Sequence, residues 1–225
     1  MKKFELTTES ITFLGRTLFR IKALISFGNV EAGELGGYIE KEGNLSHEGD
    51  AWVYGDAWVY GDARVYGDAR VYGDARVYGN ARVYGDARVY GDAEVYGNAR
   101  VFGNAWVFGN ARVYGNAWVC GNAWVYDNAW VYDNASVFGN AEVYGDARVC
   151  GDADIATISG FGSEYRTTTF FRTKNDEIAV KCGCFYGTLA EFREKVKETH
   201  GDNRYAKEYL MIADLMEMHF RGEEK

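Results

Sequence analysis

From Gly49 to Ala156 the chain is a run of eighteen six-residue units with neither insertion nor deletion. Typical units read Gly61-Asp62-Ala63-Arg64-Val65-Tyr66 and Gly109-Asn110-Ala111-Arg112-Val113-Tyr114. A period of six matches neither the 3.6 residues per turn of an α-helix nor the 3.5 of a coiled coil. Inside each unit, Ala-x-Val-Tyr alternates as a strand does, with alanine and valine on one side and residue x and the ring on the other. The Gly-Asp or Gly-Asn pair then breaks the strand with residues that tolerate positive φ. Each unit is therefore one short strand and one corner. A four-residue strand cannot bury its apolar face alone, so successive units must stack into a solenoid. Two weaker units, Gly37–Glu42 and Gly43–Glu48, read as running into the array in the same phase.

The pattern resembles the hexapeptide-repeat family, in which an aliphatic residue follows a small residue two positions earlier. Val53 with Ala51 meets that rule, as does every later unit to Ile155 with Ala153. The resemblance implies a left-handed parallel β-helix with three hexapeptides per triangular coil, and so about six regular coils here. Side chains eighteen apart should then stack in columns, such as Tyr54, Tyr72, Tyr90, Phe108, Tyr126 and Tyr144, or the corner ladder Asp50, Asp68, Asp86, Asn104, Asn122 and Asn140. Pentapeptide solenoids are excluded by period, and nine-residue calcium-binding rolls by both period and motif. Three buried valines per coil cannot alone offset the ordering of eighteen residues, so the outer rings read first as structure.

Composition closes other routes. The chain has 225 residues, 28 glycines and no proline, which rules out collagen. An apolar share of 47% and an aromatic share of 16% supply ample core, against disorder. No stretch reaches the ~18 uncharged apolar residues of a membrane span. The start lacks the apolar region of a secretory signal, so a bacterial cytoplasm is the expected location. A net charge of −8 argues against holding nucleic acid by phosphate neutralisation.

The second strand position varies most. Arginine fills it at Arg64, Arg70, Arg76, Arg82, Arg88, Arg100, Arg112 and Arg148, where it offsets corner aspartates. Tryptophan fills it at Trp52, Trp58, Trp106, Trp118, Trp124 and Trp130. The last four cluster where the corners also turn from Asp to Asn. A surface that loses charge and gains tryptophan resembles an interface core. Packing of the tail onto the array explains them equally well. Trp106, Trp118, Trp124 and Trp130 are the candidate self-association residues, and the family resemblance implies a trimer.

Both ends need caps. Residues 1–36 read as a β-hairpin cap, Ile11–Leu14 and Thr17–Ile21 around Gly15, and residues 37–159 as the β-helix. Leu35–Glu40 with Asn44–Gly49 looks like the first module of phage and prophage hexapeptide-repeat proteins, a family often labelled polymer-forming or transferase-like. Residues 160–225 form a small α+β domain of ββαα order. Gly160–Ser163 is a linker, and Glu164–Thr173 and Glu177–Phe185 are two strands around Lys174–Asp176. A capping box at Thr188–Glu191 opens a helix through Thr199 that buries Leu189, Phe192 and Val196. A second helix spans about Asn203–Phe220 with Tyr205, Tyr209, Ile212 and Met216 at helical spacing.

Catalytic chemistry has little support. Acyltransferases of this fold need a histidine base, and the eighteen units hold none. His47, just before them, is the sole candidate if the chain is an acyl-CoA-dependent enzyme. His200 and His219 lie at helix ends. Cys182-Gly-Cys184 reads as two core cysteines, since a C-x-C without a second pair is a poor zinc signal. Cys120 and Cys150 fall on different faces and should not bridge. No cofactor or metal is expected. In the tail, Arg166, Thr168, Phe170 and Arg172 share a strand face, and Lys181 projects from the next strand, a patch suited to a small anionic ligand. The expectation is a non-catalytic β-solenoid scaffold, oligomeric, presenting its C-terminal domain to a partner. The alternatives are a phage counter-defence protein that sequesters a host protein or nucleotide signal, and an acyltransferase.

Overall fold

From Gly49 to Gly145 every unit turns its corner at a residue of positive φ, between 53° and 72°, which is glycine except at Asp127 and Asp133. In the computed structural model, which describes residues 1–221, the residues between corners form seventeen two-residue strands, β4 (Trp52–Val53) to β20 (Arg148–Val149), at six-residue intervals. Each strand lies parallel to the one eighteen residues away: Val89 sits beside Val71 and Val107, and Arg88 beside Arg70 and Trp106. The strands form three sheets, one per prism face, and the whole is a β-solenoid of about six turns. The Arg88 N–H donates to the Ala105 carbonyl at 2.9 Å and the Tyr90 N–H to that of Val107 at 3.0 Å, so the ladder between coils is continuous. The alanine and valine of every unit from Ala51 to Val149 are buried in one core. That is the three-unit coil the repeat demands.

Both ends of the array depart from the six-residue phase. At the start, Ile39 pairs with Val59 and Leu45 with Val65, intervals of twenty residues. The valine place is therefore taken by residues 39 and 45, whereas the same phase as the array would put it at Lys41 and His47. The reason is local. Glu42–Asn44 is a 3-10 turn, and the buried Asn44 amide donates to the Gly61 and Ala63 carbonyls. Two extra residues between Leu45 and Val53 then restore the register. At the other end the eighteenth unit leaves the solenoid: Asp152–Asp154 is a 3-10 turn, Ala153 is exposed, and the chain enters an antiparallel strand. The solenoid thus closes before residue 159, and 155–159 belong to the tail.

The N-terminal cap is a hairpin, β1 (Phe4–Phe13) and β2 (Arg16–Ala23), turning at Leu14-Gly15. β3 (Leu35–Ile39) joins it antiparallel and then pairs in parallel with Trp58–Val59, extending one prism face to nine strands. Glycine at Gly37 is obligatory, since a Cβ there would stand 2.5 Å from the Ala57 carbonyl oxygen. Phe4, Ile21 and Trp52 plug the end of the core. Lys3 is buried with them, its Nζ donating to the carbonyls of Gly49 (3.1 Å) and Ala51 (2.8 Å).

The C-terminal module has four strands rather than two: β21 (Ile155–Phe161), β22 (Arg166–Arg172), β23 (Ile178–Cys182) and β24 (Phe185–Thr188), all antiparallel. Two helices follow, α1 (Leu189–His200) and α2 (Arg204–Arg221). The Thr188 hydroxyl accepts from the Glu191 N–H, and the Glu191 carboxylate accepts from the Thr188 N–H, the capping box the sequence encodes. One sheet face sends Phe171 and Ala179 into the solenoid core, and the other packs Phe170 and Val180 against the helices. The sheet is the lid of the solenoid. The Lys174 N–H donates to the Asp146 carbonyl at 2.9 Å, and Tyr186 lies 4.3 Å from Tyr144, extending the last ring column into the module.

Candidate functional site

On the prism surface the rings form the expected columns. Tyr72, Tyr90, Phe108, Tyr126 and Tyr144 stack with centroids 4.6–4.8 Å apart. Tyr60, Tyr78, Tyr96, Tyr114 and Tyr132 do so at 4.8–5.1 Å. The stacked column starts at Tyr72, and Tyr54, one coil earlier, is partly buried against the core. Burial against neighbouring rings pushes the phenols of Tyr78, Tyr126 and Tyr144 well above their ordinary range. Corner asparagines form hydrogen-bonded ladders, Asn80 to Asn98 to Asn116 to Asn134 on one edge and Asn104 to Asn122 to Asn140 on another, at 3.0–3.2 Å.

Of the eight arginines in the second strand position, Arg76, Arg88, Arg100, Arg112 and Arg148 lie over indoles of neighbouring coils. Arg76 lies 4.8 Å over Trp58, Arg88 4.8 Å over Trp106, Arg100 5.2 Å over Trp118, and Arg148 4.2 Å over Trp130. Glu94 stands between Arg76 (3.9 Å) and Arg112 (3.7 Å).

The four candidate tryptophans do not form one patch. Trp106 and Trp124 stack at 5.1 Å on one face, Trp118 lies on a second, and Trp130 on the third beneath Arg148. Two of them nevertheless flank a single corner. Trp118 (44% exposed) and Trp124 (38%) stand on either side of Asn122, and Phe138 (59%) lies one coil further along the same edge. The stacked stretches 100–106, 118–124 and 136–142 carry charge only at Arg100 and Glu142, and Asn104, Asn122 and Asn140 mark the corner. This aromatic edge is the candidate interface. Period eighteen encodes it, but Phe138 draws attention only once the corners are known.

The anionic-ligand patch expected in the tail is not assembled. β22 is buried on both sides: Thr168 and Phe170 face the helices, and the Thr168 hydroxyl donates to Cys182 Sγ. Arg172 is occupied, donating to Asp154 (3.0 Å), Asp176 (2.6 Å) and the Phe220 carbonyl (2.6 Å). Lys181 is on the opposite face, 3.5 Å from Glu142 of the solenoid. Arg166 alone is exposed, at the mouth of a cavity of about 240 Å³ shared with Cys182, Phe192, His200 and Tyr209. Cys184 is exposed at the hairpin turn rather than in the core. On the outer side of α2, Met211, Leu215 and Met218 stand in water at i, i+4, i+7 spacing.

His47 stacks on Phe4 at 4.3 Å, and its Nδ1 accepts the Lys3 N–H at 3.2 Å. The neutral ring then carries its hydrogen on Nε2, which faces Glu42 at 3.8 Å, so no free lone pair is offered to a substrate. Among the described residues, no three His, Cys, Asp or Glu side chains converge as metal ligands, and no helix is long and apolar enough to cross a membrane.

Seven overlapping segments, 57–73, 63–79, 69–84, 75–91, 81–94, 93–109 and 105–121, match the YdcK beta solenoid repeat, all of them within the array. No curated protein matches the chain significantly.

Proposed function

We propose that this chain is a non-catalytic β-solenoid scaffold that assembles with further copies of itself along the Trp118–Trp124 edge and displays its C-terminal module to a partner. The carrying observation is the contrast along the prism surface. Trp130 lies between Arg112 and Arg148, and the tyrosine columns stack on both sides, so those rings are covered within the chain. At this edge Trp118, with Arg100 on one side and only Ser136 on the other, and Trp124 and Phe138 remain open to water. A chain of net charge −8 repels its own copies, and a strip with few charges is where like surfaces meet at least cost. The resemblance to hexapeptide-repeat proteins favours three copies, and that of Leu35–Glu40 to prophage lead-in modules favours a prophage origin and a bacterial cytoplasm. The partner would meet α2, whose methionine-rich face can adapt to an apolar helix.

Light scattering on the full chain tests the assembly. The expected mass is a multiple of 25.2 kDa, falling to 25.2 kDa when Trp118→Asp and Trp124→Asp put charge on the edge. A wild-type mass of 25.2 kDa at micromolar concentration, or a double variant that stays assembled, contradicts the reading.

A further inference from the structure

The off-phase first coil leaves a hollow beside the face that starts at Arg64–Val65. That face meets the preceding coil through the Leu45–Val65 bridge, the Asn44 amide and the Lys41–Asp62 ion pair, and Ser46 and His47 after Leu45 form one wall of the hollow. The cleft between them has a volume of about 600 Å³, within the range of small-molecule sites. Ser46, His47 and Glu42 line one side, and Arg64, Tyr66 and Arg82 the other.

Arg64 and Arg82 are in direct register on adjacent coils, about 4.8 Å apart at the backbone. Like charges placed so are unfavourable, and at several places the array relieves them, although Arg70 and Arg88 are also in register. Glu94 separates Arg76 from Arg112, and Arg88 and Arg100 lie over indoles. Among the described residues, Arg64 and Arg82 have no carboxylate, carbonyl or ring partner, and both are exposed. The carboxylate on the rim, Glu42, is held by Lys2 at 2.6 Å, which also keeps its carboxyl below the ordinary range.

We propose that this cleft binds a small ligand carrying two adjacent anionic groups, a diphosphate, with one guanidinium on each group. Two planar forks a strand spacing apart match two neighbouring phosphoryl groups, and each fork can donate a pair of hydrogen bonds. The Ser46 hydroxyl adds a donor, and the Tyr66 ring gives an apolar wall for whatever the diphosphate carries. Binding here removes a like-charge contact that the fold leaves standing.

Calorimetry of the full chain with inorganic pyrophosphate at low salt tests this. One site per chain is expected, with orthophosphate clearly weaker. Arg64→Gln and Arg82→Gln should each weaken binding by about tenfold or more, the loss of charge-assisted hydrogen bonds. Both side chains are exposed and unpartnered, so neither variant disturbs the fold. Arg112→Gln, on the face already matched by Glu94, should leave the affinity unchanged. No binding of millimolar pyrophosphate, equal affinity for orthophosphate, or an equal loss in Arg112→Gln would overturn the proposal.

Discussion

Gly91 has φ +69°, and a Cβ built on it would stand 3.0 Å from the Gly109 nitrogen in the next coil. A side chain there meets both a strained conformation and a neighbouring backbone. The same corner position carries aspartate at Asp127 (φ 57°), a residue that visits the left-handed region at a smaller penalty. Gly91→Ala should therefore lower stability by about 1–3 kcal/mol, while Asp127→Gly should raise it by up to about 1 kcal/mol. Paired thermal melts check both signs, and a neutral Gly91→Ala would contradict the stacked-corner geometry. These corners are legible because Gly-Asx recurs every six residues. Lys3 is not legible. A lysine near the start of a chain has no pattern to announce that its ammonium will reach the carbonyls of Gly49 and Ala51, where burial lowers its pKa to about 8.

Among elements, the ring columns have a titration of their own. Tyr60, Tyr72, Tyr78, Tyr90, Tyr96, Tyr114, Tyr126 and Tyr144 all have their phenols raised, chiefly by burial in the stack. In the unfolded chain these groups ionise near pH 10. A raised folded value means that the folded state holds the proton longer. The stabilisation is thus complete below about pH 10 and is lost as pH rises through the folded values. Tyrosinate absorbance and circular dichroism followed together should show ionisation coinciding with unfolding above pH 10. Gradual ionisation around pH 10 with the sheet signal intact would contradict this. The columns followed from period eighteen, but the tail strands did so only in part. Gly160 made β21 read as a linker. It lies in a register shift between Ile158 and Phe161, a bulge that lets the strand continue. Likewise Gly43-Asn44 imitates a corner, and only the buried Asn44 amide shows that it is not one.

At the scale of the molecule, one core runs from the N-terminal hairpin through the valine stack to Phe171 of the tail sheet, so both caps are continuous with what they close. Which surface groups remain free follows from the vertical neighbour rather than from the unit that carries them. Trp130 is covered because Arg112 and Arg148 lie on either side of it, whereas Trp118 has Arg100 on one side and only Ser136 on the other. Arg64 and Arg82 are bare because no carboxylate or indole falls next to them in register. Reading the units one at a time conceals this. The expected tail patch failed for a related reason: alternation along β22 gave the side of each residue but not that both sides are covered. Everything therefore rests on vertical stacking at eighteen-residue intervals. Its direct measurement is a pulsed electron spin distance between labels at Arg64→Cys and Ser136→Cys, with the four native cysteines replaced by serine. These positions lie four coils apart in one sheet, through Arg82, Arg100 and Trp118. A narrow distribution centred near ~19 Å, four strand spacings, is the expected result, and a broad distribution or one centred beyond ~30 Å would contradict it.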